Sequence, residues 1–291
     1  MKDGPGASGR RALRPTTQSQ EPDAQSHETR MVRILSAIVI LPIIVGIIWL
    51  LPAMATLVLA EVMALVAFFE FRGLAERVGS HVPLAVTAIG VLATCAATGW
   101  PNASVDGPLM ASTVAILATI VGSRPGGEQT LRDASAAIFA LVYLGLPLGA
   151  LAAIRTEFGA PRLLLLLATI MISDTAQFYG GRLLGRRPLA PALSPKKTVE
   201  GAIAGFVAGA LGMVAIGLHW LPDVGASMLA LLGATLVALG ISGDLFESAL
   251  KRGAGVKDAS GLIPGHGGAL DRLDGLLFAG PVFYVYLRYV V

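Results

Sequence analysis

Repeated long apolar segments constrain this chain more than any other feature of its sequence. Nine can be drawn, over residues 34–51, 54–71, 83–100, 108–122, 135–154, 162–180, 200–220, 227–247 and 275–291. Several reach the ~20 residues that a helix needs to cross a hydrocarbon core ~30 Å thick, where a helix satisfies its own backbone hydrogen bonds. Only 14% of the residues are charged, against roughly 25% in soluble domains. The sequence therefore predicts an all-α, polytopic integral membrane bundle of about nine transmembrane helices.

The basic residues are unevenly distributed between the two sides of this predicted bundle. Of the 22 Lys and Arg residues, all but Arg155, Arg162 and Arg288 lie before the first apolar segment or in connections that would share its side. Because Lys and Arg are enriched in cytoplasmic loops, the N-terminus is predicted to be cytoplasmic. The two long polar connections, 181–199 and 251–274, then also face the cytoplasm, where soluble nucleotides and their magnesium are found.

Three regions follow from this arrangement. Residues 1–30 are rich in Gly, Pro, Ser, Thr, Gln and charge, so we expect a disordered cytoplasmic tail. Residues 31–160 are interpreted as an N-terminal transmembrane scaffold, and residues 161–291 as a catalytic transmembrane region with cytoplasmic loops. Within the scaffold, Glu61 in the middle of a span is either functional or a protonated or hydrogen-bonded packing residue. Cys95, the only cysteine, is expected to be a packing residue.

The segment from Ser248 to Asp274 holds most of the chain's potential chemistry. It contains two Lys, two Arg, three Asp and one His within 27 residues. Its Pro-Gly-His-Gly-Gly core, residues 264–268, suits a backbone wrapped on phosphate better than it suits a hydrated loop of balanced charge. Aspartates are hard oxygen ligands that Mg²⁺ accepts, so carboxylates beside cations indicate a phosphate and metal site.

Polar residues on two preceding apolar segments extend this candidate site. The spacing of Asp244, Glu247, Ser248 and Lys251 places all four on one helical face. For Glu247, a solvated helix end explains the pattern as well as a function does. Asp174 lies ~18 Å along its helix at ~1.5 Å per residue, so it should face protein or a watery cavity.

Further donors and a packing motif lie between these segments. Ser194, Lys196 and Lys197 can offer hydroxyl and ammonium groups to phosphate, whereas Arg186 and Arg187 fit better with anionic lipid headgroups. A stripe of small residues then follows, formed by Gly201, Gly205, Gly209 and Gly212. Such a stripe lets helices pack closely, either within the bundle or in a dimer.

The segment Ser248 to Asp274 resembles the signature of the phosphatidate cytidylyltransferases, the CDP-diacylglycerol synthases, over its whole length. The shared elements are Ser-x-Leu-Lys-Arg, a four-residue gap, Lys-Asp, Pro-Gly-His-Gly-Gly and Leu-Asp-Arg-Leu-Asp. The segment Ser194 to Gly201 and Asp174 also look like that family, as does Glu70-Phe71-Arg72 in the first half. Ala269 departs from the pattern, since a bulkier aliphatic residue is common there.

The resemblance implies condensation of phosphatidate with CTP, giving CDP-diacylglycerol and pyrophosphate in phospholipid biosynthesis. It implies an enzyme of the bacterial cytoplasmic (inner) membrane with its active site facing the cytoplasm, and Mg²⁺ as cofactor, alone or with a second cation. The implied partners are CTP, phosphatidate and membrane lipids, with no nucleic acid and with a homodimer left open. By the same resemblance the metal ligands are Asp244, Asp271 and Asp274, and the catalytic residues are Asp244, Lys251, His266 and Asp271. Substrate binding is assigned to Asp174, Ser194, Lys196, Lys197, Arg252, Lys257, Asp258 and Arg272.

Three other functions compete with this one. A secondary transporter would explain a buried Asp174 and Glu61, but transport sites usually lie near the midplane between internal repeats, and here the charge is concentrated on one side. A CDP-alcohol phosphotransferase would need an Asp-Gly-x-x-Ala-Arg motif, whereas Asp274-Gly275 is followed by Leu-Leu-Phe-Ala-Gly. A cytidylyltransferase acting on an archaeal-type ether lipid shares the headgroup chemistry, and the diacyl substrate is the preferred choice of the two.

Overall fold

The computed structural model describes residues 39, 41–123, 126–260 and 268–291, which form α-helices and one short β-hairpin. The helices of the first half are α1 (Leu41–Leu50), α2 (Ala53–Arg77), α3 (Leu84–Gly99), α4 (Asp106–Ser123), α5 (Glu128–Ala140) and α6 (Leu146–Phe158). A π-helical turn over Leu141–Gly145 joins α5 to α6. The second half contains α7 (Ala160–Leu184), β1 (Pro188–Ala190), β2 (Ser194–Thr198), α8 (Val199–Trp220), α9 (Ala226–Gly253) and α10 (Leu270–Tyr289).

Six helices of the described chain are long and apolar enough to cross a membrane. They are α2, α4, the continuous helix Glu128–Phe158, α7, α8 and α9. Helices α1 and α3 are shorter apolar helices, and α10 has 20 residues. Each predicted apolar segment overlaps one of these helices, and the prediction of an all-α polytopic membrane protein is confirmed. The count of nine spans stays a prediction, and the predicted tail, residues 1–30, lies outside the described residues.

Close contacts between α7, α8 and α9 hold the second half together. A Cβ atom added at Gly201 would lie 2.7 Å from the carbonyl oxygen of Gln177, and one at Gly205 would lie 2.4 Å from Cγ of the same residue. At Gly209 a Cβ would lie 2.4 Å from Cγ2 of Val237 on α9. These distances leave no room for a side chain, so the glycine stripe packs within the bundle. A dimer contact is not needed to explain it.

An aromatic cluster joins the two halves of the chain. Phe71 of α2 lies beside Phe139 of α5, which stacks on Tyr143 of the π-helical turn. Phe246 of α9 contacts both Phe139 and Tyr143, and Phe278 of α10 contacts Phe246. The centroid separations of 5.0 to 5.9 Å for these pairs are favourable for aromatic rings. The predicted scaffold therefore packs directly against α9 and α10, which carry most of the signature.

The two scaffold residues singled out by the sequence contact each other. Cys95 of α3 is fully buried, as expected of a packing residue. Glu61 of α2 lies close enough to Cys95 to interact with it electrostatically, and its buried Oε1 has no hydrogen-bond partner among the described residues. Both interpretations of Glu61 therefore stay open.

The two long polar connections are shorter than predicted. Helices α7 and α9 continue to Leu184 and Gly253, and in the last turn of α9 Lys251 and Arg252 find partners on α10 and on the connection before β2. Lys251 and Arg252 therefore belong to a helix and not to a loop. Between α7 and α8, the chain forms the antiparallel hairpin β1–β2, which hydropathy does not reveal in so short a stretch. Thr198 ends the hairpin and caps α8, since its Oγ1 accepts a 3.1 Å hydrogen bond from the Gly201 N–H.

Candidate functional site

A cavity of about 480 Å³ lies where α7, the hairpin, α8, α9 and α10 meet. Its charged lining residues are Asp174 and Arg182 of α7, Lys196 and Lys197 of β2, Asp244 of α9, and Asp271, Arg272 and Asp274 of α10. Four acidic and four basic side chains thus line one space. A wall of both charges suits a ligand that combines phosphates with a cation.

Among the described residues, Lys197 is one of the two lysines that line this cavity. Its Nζ contacts Oδ2 of Asp244, so the hairpin is tied to α9. The carboxylates of Asp174, Asp244 and Asp274 lie close enough to interact electrostatically, and Lys197 offsets part of their repulsion. Gln177 orients Asp174, because its Nε2 donates a 3.1 Å hydrogen bond to Oδ1 of that residue. Three carboxylates thus lie near one ammonium group, and carboxylate oxygens are ligands that suit a divalent cation.

Lys251 links α9 to the start of α10. Its Nζ lies 2.5 Å from Oε2 of Glu247 and also contacts Oδ1 of Asp271. The Glu247 side chain is only 1% exposed. The interpretation of Glu247 as a solvated helix end is therefore wrong, because α9 continues past it and turns it inward. A buried ammonium between two carboxylates fixes both of them, and removing it is strongly destabilising because the buried carboxylates then lack a partner.

The structure brings seven predicted site residues together around the cavity: Asp174, Lys196, Lys197, Asp244, Asp271, Arg272 and Asp274. Lys251 lies behind them, bound to Asp271. Besides Lys251, four predicted residues do not line this cavity, namely Ser194, Arg252, Lys257 and Asp258. Arg252 instead donates hydrogen bonds to the carbonyl oxygens of Leu193 and Val256, and so supports the hairpin. His266 lies outside the described residues.

Glu70 of α2 was not predicted as a site residue, yet its carboxylate reaches the start of α10. It accepts hydrogen bonds from the backbone N–H groups of Ala269 and Leu270 and from the hydroxyl of Ser260. The side chain is buried. The sequence feature that could have marked Glu70 as a site residue was its place in Glu70-Phe71-Arg72, the stretch of the first half that resembles the phosphatidate cytidylyltransferases.

Tyr143 is a second residue that sequence reasoning missed. The π-helical turn turns its ring into the core, where it is 5% exposed and interacts electrostatically with Glu247 and Asp274. Turns of this kind are rare and frequently occur at functional sites. No feature of the apolar run 135–154 marks where such a turn forms, so the sequence offers no signal for it.

The carboxylates differ in one respect from the implied metal site. No group of three or more His, Cys, Asp or Glu side chains arranged around one point occurs within residues 41–123, 126–260 and 268–291. Asp244 and Asp271 instead each contact a lysine, Lys197 and Lys251 respectively. The donor set still fits Mg²⁺, because this ion takes one or two carboxylates and completes its shell with waters and substrate phosphates.

Comparison with known proteins identifies related chains. A family model described as the cytidylyltransferase family matches residues 31–290. The phosphatidate cytidylyltransferase of Staphylococcus aureus strain COL is 30% identical over 261 residues, which cover 88% of this chain and 98% of that protein.

Two further relatives are more similar over a shorter region. The phosphatidate cytidylyltransferase of Helicobacter pylori strain J99 is 42% identical over 157 residues, covering 54% of this chain and 58% of that protein. That of Thermotoga maritima is 36% identical over 166 residues, covering 55% of this chain and 62% of that protein. The chain thus matches less than two thirds of the length of these two relatives.

Proposed function

The chain belongs to the cytidylyltransferase family, and from this premise we propose that it transfers CMP from CTP to phosphatidate, giving CDP-diacylglycerol and pyrophosphate. The observation that carries the proposal is the cavity in which Lys197 contacts Asp244 and in which four acidic and four basic side chains face one space. The reaction joins two anionic substrates, so their phosphates must be brought together against mutual repulsion. The names of the relatives from Staphylococcus, Helicobacter and Thermotoga support the same reaction.

The surface beside the cavity suits a lipid substrate. Phe178 lines the cavity and is 61% exposed, and Leu183 and Leu184 further along α7 are also exposed. An apolar helix face that continues into a charged cavity fits a molecule with acyl chains and a phosphate headgroup. The acyl chains of phosphatidate would lie along α7 in the bilayer, while its phosphate enters the cavity.

The chemistry requires no nucleophile from the protein. A phosphate oxygen of phosphatidate forms a bond to the α-phosphorus of CTP, and the bond from that phosphorus to the bridging oxygen of the β-phosphate breaks. Pyrophosphate leaves with the electron pair. Catalysis then rests on alignment and on stabilising the charge that develops on the attacking and leaving oxygens. The cations that line the cavity and can stabilise this charge are Arg182, Lys196, Lys197 and Arg272.

The acidic residues of the cavity are assigned to Mg²⁺, alone or with a second cation. Asp244, Asp271 and Asp274 are the proposed ligands, and Asp174 lies in the same electrostatic group as Asp244 and Asp274. Bound there with CTP, the ion would neutralise phosphate charge and stabilise the leaving pyrophosphate. Lys251 is placed to hold Asp271 through its ammonium group, and Glu247 holds Lys251 in turn.

The proposed location is the bacterial cytoplasmic membrane, with the N-terminus and the cavity on the cytoplasmic side. The support is the charge distribution, since both polar connections that border the cavity are rich in Lys and Arg. CTP would then reach the cavity directly from the cytoplasm. Nine spans would place the C-terminus on the opposite side.

The test is transfer of label from CTP into lipid by purified protein in detergent, with phosphatidate and Mg²⁺. Label at the α-phosphorus should appear in chloroform-extractable lipid, and label at the γ-phosphorus should appear in pyrophosphate. Transfer should require phosphatidate and should be lost in Asp271→Asn. Asp223→Asn, at an exposed position in the turn before α9, is the matched control and should keep the activity.

Absence of lipid label from a folded wild-type protein would overturn the proposal. Ion or solute flux in vesicles would then be the next measurement, because it tests the transporter alternative directly.

A further inference from the structure

We propose that Glu70 is a positioning residue: from α2 it caps the start of α10 and so keeps the Asp271 carboxylate directed at the cavity. This inference rests on the proposed function for its effect on catalysis. Its structural basis is independent of that function, because it consists of contacts between described residues.

The start of α10 is buried. Helix N-termini leave their first backbone N–H groups without partners inside the helix, and a side chain at the N-cap position usually accepts from them. Here the N-cap residue is Ala269, which has no polar side chain and makes no such bond. Ala269 and Leu270 are 1% and 0% exposed, so water does not replace the missing acceptor.

Glu70 supplies the acceptor from a distant part of the chain. Oε1 accepts from the Ala269 N–H at 3.0 Å, and Oε2 accepts from the Leu270 N–H at 2.7 Å. Oε1 also accepts from the Ser260 hydroxyl at 2.5 Å. A carboxylate at a helix N-terminus is further stabilised by the helix dipole. One side chain therefore holds residues on both sides of the 261–267 segment.

Asp271 lies one residue after these N–H groups. Its Oδ2 accepts a 2.8 Å hydrogen bond from the Gly268 N–H, and its Oδ1 contacts Lys251. Without Glu70, the orphaned N–H groups of Ala269 and Leu270 would compete for the Asp271 carboxylate, the nearest acidic group on α10. With Glu70 in place, Oδ1 remains available to Lys251 and the cavity.

Gly268 shows how closely the carboxylate fits. A Cβ atom at Gly268 would lie 2.6 Å from Oε2 and 2.7 Å from Oε1 of Glu70. The carboxylate is the end of a flexible side chain, but three hydrogen bonds hold it in place. Gly268→Ala therefore disturbs the same contact from the opposite side without altering Glu70.

The experiment compares wild type, Glu70→Gln, Gly268→Ala and the double variant. Glu76→Gln is the matched control, because Glu76 is on the same helix and pairs with Arg72 at the surface. Hydrogen exchange read by mass spectrometry measures opening of residues 268–273, and Mn²⁺ titration followed by EPR measures metal affinity. Both readouts are independent of turnover. Lipid labelling over a range of Mg²⁺ concentrations supplies the kinetic readout.

We expect exchange at 268–273 to be about tenfold faster in Glu70→Gln, since the amide replaces an acceptor of the Leu270 N–H by a donor. Mn²⁺ affinity should fall by about tenfold, as is usual when support behind a ligand is lost. The Mg²⁺ concentration for half-maximal activity should rise in parallel. Gly268→Ala should act in the same direction, and the double variant should be little worse than either single one.

Two results would overturn the inference. One is unchanged exchange and Mn²⁺ affinity in both single variants. The other is activity that falls only with the folded fraction, at an unchanged half-maximal Mg²⁺ concentration, which would indicate a purely structural role. If the wild type transfers no label, the proposed function fails, but exchange and Mn²⁺ binding still test the role of Glu70.

Discussion

The crossing of α9 and α10 predicts a large effect from the smallest possible substitution, Gly243→Ala. A Cβ atom at Gly243 would lie 2.2 Å from the backbone carbonyl oxygen of Asp274, where ordinary contacts begin at 3.4 Å. The obstacle is backbone, which cannot rotate away as a side chain can. The two helices must therefore separate by about 1 Å, at a cost of about 1–3 kcal/mol for overpacking.

This separation would act directly on the site. Gly243 precedes Asp244, and the blocking oxygen belongs to Asp274, so the shift moves two carboxylates of the cavity apart. Displacements of this size at reacting groups reduce rates by about 100-fold. Gly243→Ala should thus lose about two orders of magnitude in CMP transfer, together with a few kcal/mol of stability at most.

The assay combines lipid labelling with thermal unfolding. Cys95 is the only cysteine and is fully buried, so a thiol-reactive fluorescent dye reports unfolding without any engineered probe. The control is Gly240→Ala, one turn earlier on α9, where a Cβ would meet only Cδ1 of Ile170 at 3.2 Å. That methyl group can move by a few tenths of an ångström. If the two alanine variants have the same midpoint and the same turnover, the argument from the helix crossing is refuted.

Two further predictions concern the lysine pairs. Lys197→Met should reduce CMP transfer by about 100-fold or more, since it removes a phosphate-binding cation and leaves Asp244 without its partner. The control is Arg186→Met, at an exposed position, which should keep wild-type activity. Equal losses of activity for the two variants in the labelling assay would contradict the assignment of Lys197 to phosphate binding. Lys251→Met should destabilise the protein by about 3–5 kcal/mol, because it leaves the buried Glu247 carboxylate without its ammonium partner. The control is Glu157→Ala, which should lower the free energy of unfolding by less than about 1 kcal/mol, because its partner Arg288 is 47% exposed. Similar unfolding midpoints for the two variants in the Cys95 dye assay would show that the burial of the Glu247–Lys251 pair does not determine its contribution to stability.

Much of the architecture could be predicted because it depends on properties that are local in sequence. Each apolar segment is long enough to specify a helix by itself, and the helix spacing correctly placed Asp244, Glu247 and Lys251 on one face of α9. The presence of Asp271 and Asp274 on one helix face followed in the same way, since α10 begins at Leu270. The family resemblance supplied Asp174, Lys196, Lys197 and Arg272, whereas Arg182 was not predicted as a site residue.

The features that were missed depend on contacts between distant residues. Glu70 lies 199 positions before Ala269, and no periodicity within α2 indicates what its carboxylate will meet. Tyr143 lies on a π-helical turn and interacts electrostatically with Glu247, and nothing in the apolar run 135–154 marks that turn. Arg252 and Lys257 were grouped with the cavity residues because of their place in the signature, yet neither lines the cavity. A residue's place in the signature therefore does not show whether its side chain points into the cavity.

Contacts between the two halves show that the predicted scaffold and the predicted catalytic region are not physically independent. The residues that carry the signature lie almost entirely after residue 161, and the alignments with the Helicobacter and Thermotoga proteins cover only about half of this chain. Yet the start of α10 has its acceptor on α2, and the rings of Phe139 and Tyr143 form the packing surface for Phe246 of α9. The second half alone would leave buried N–H groups without partners and an aromatic face exposed. The charged cavity therefore has its geometry set by the half of the chain that contributes none of its charged lining residues.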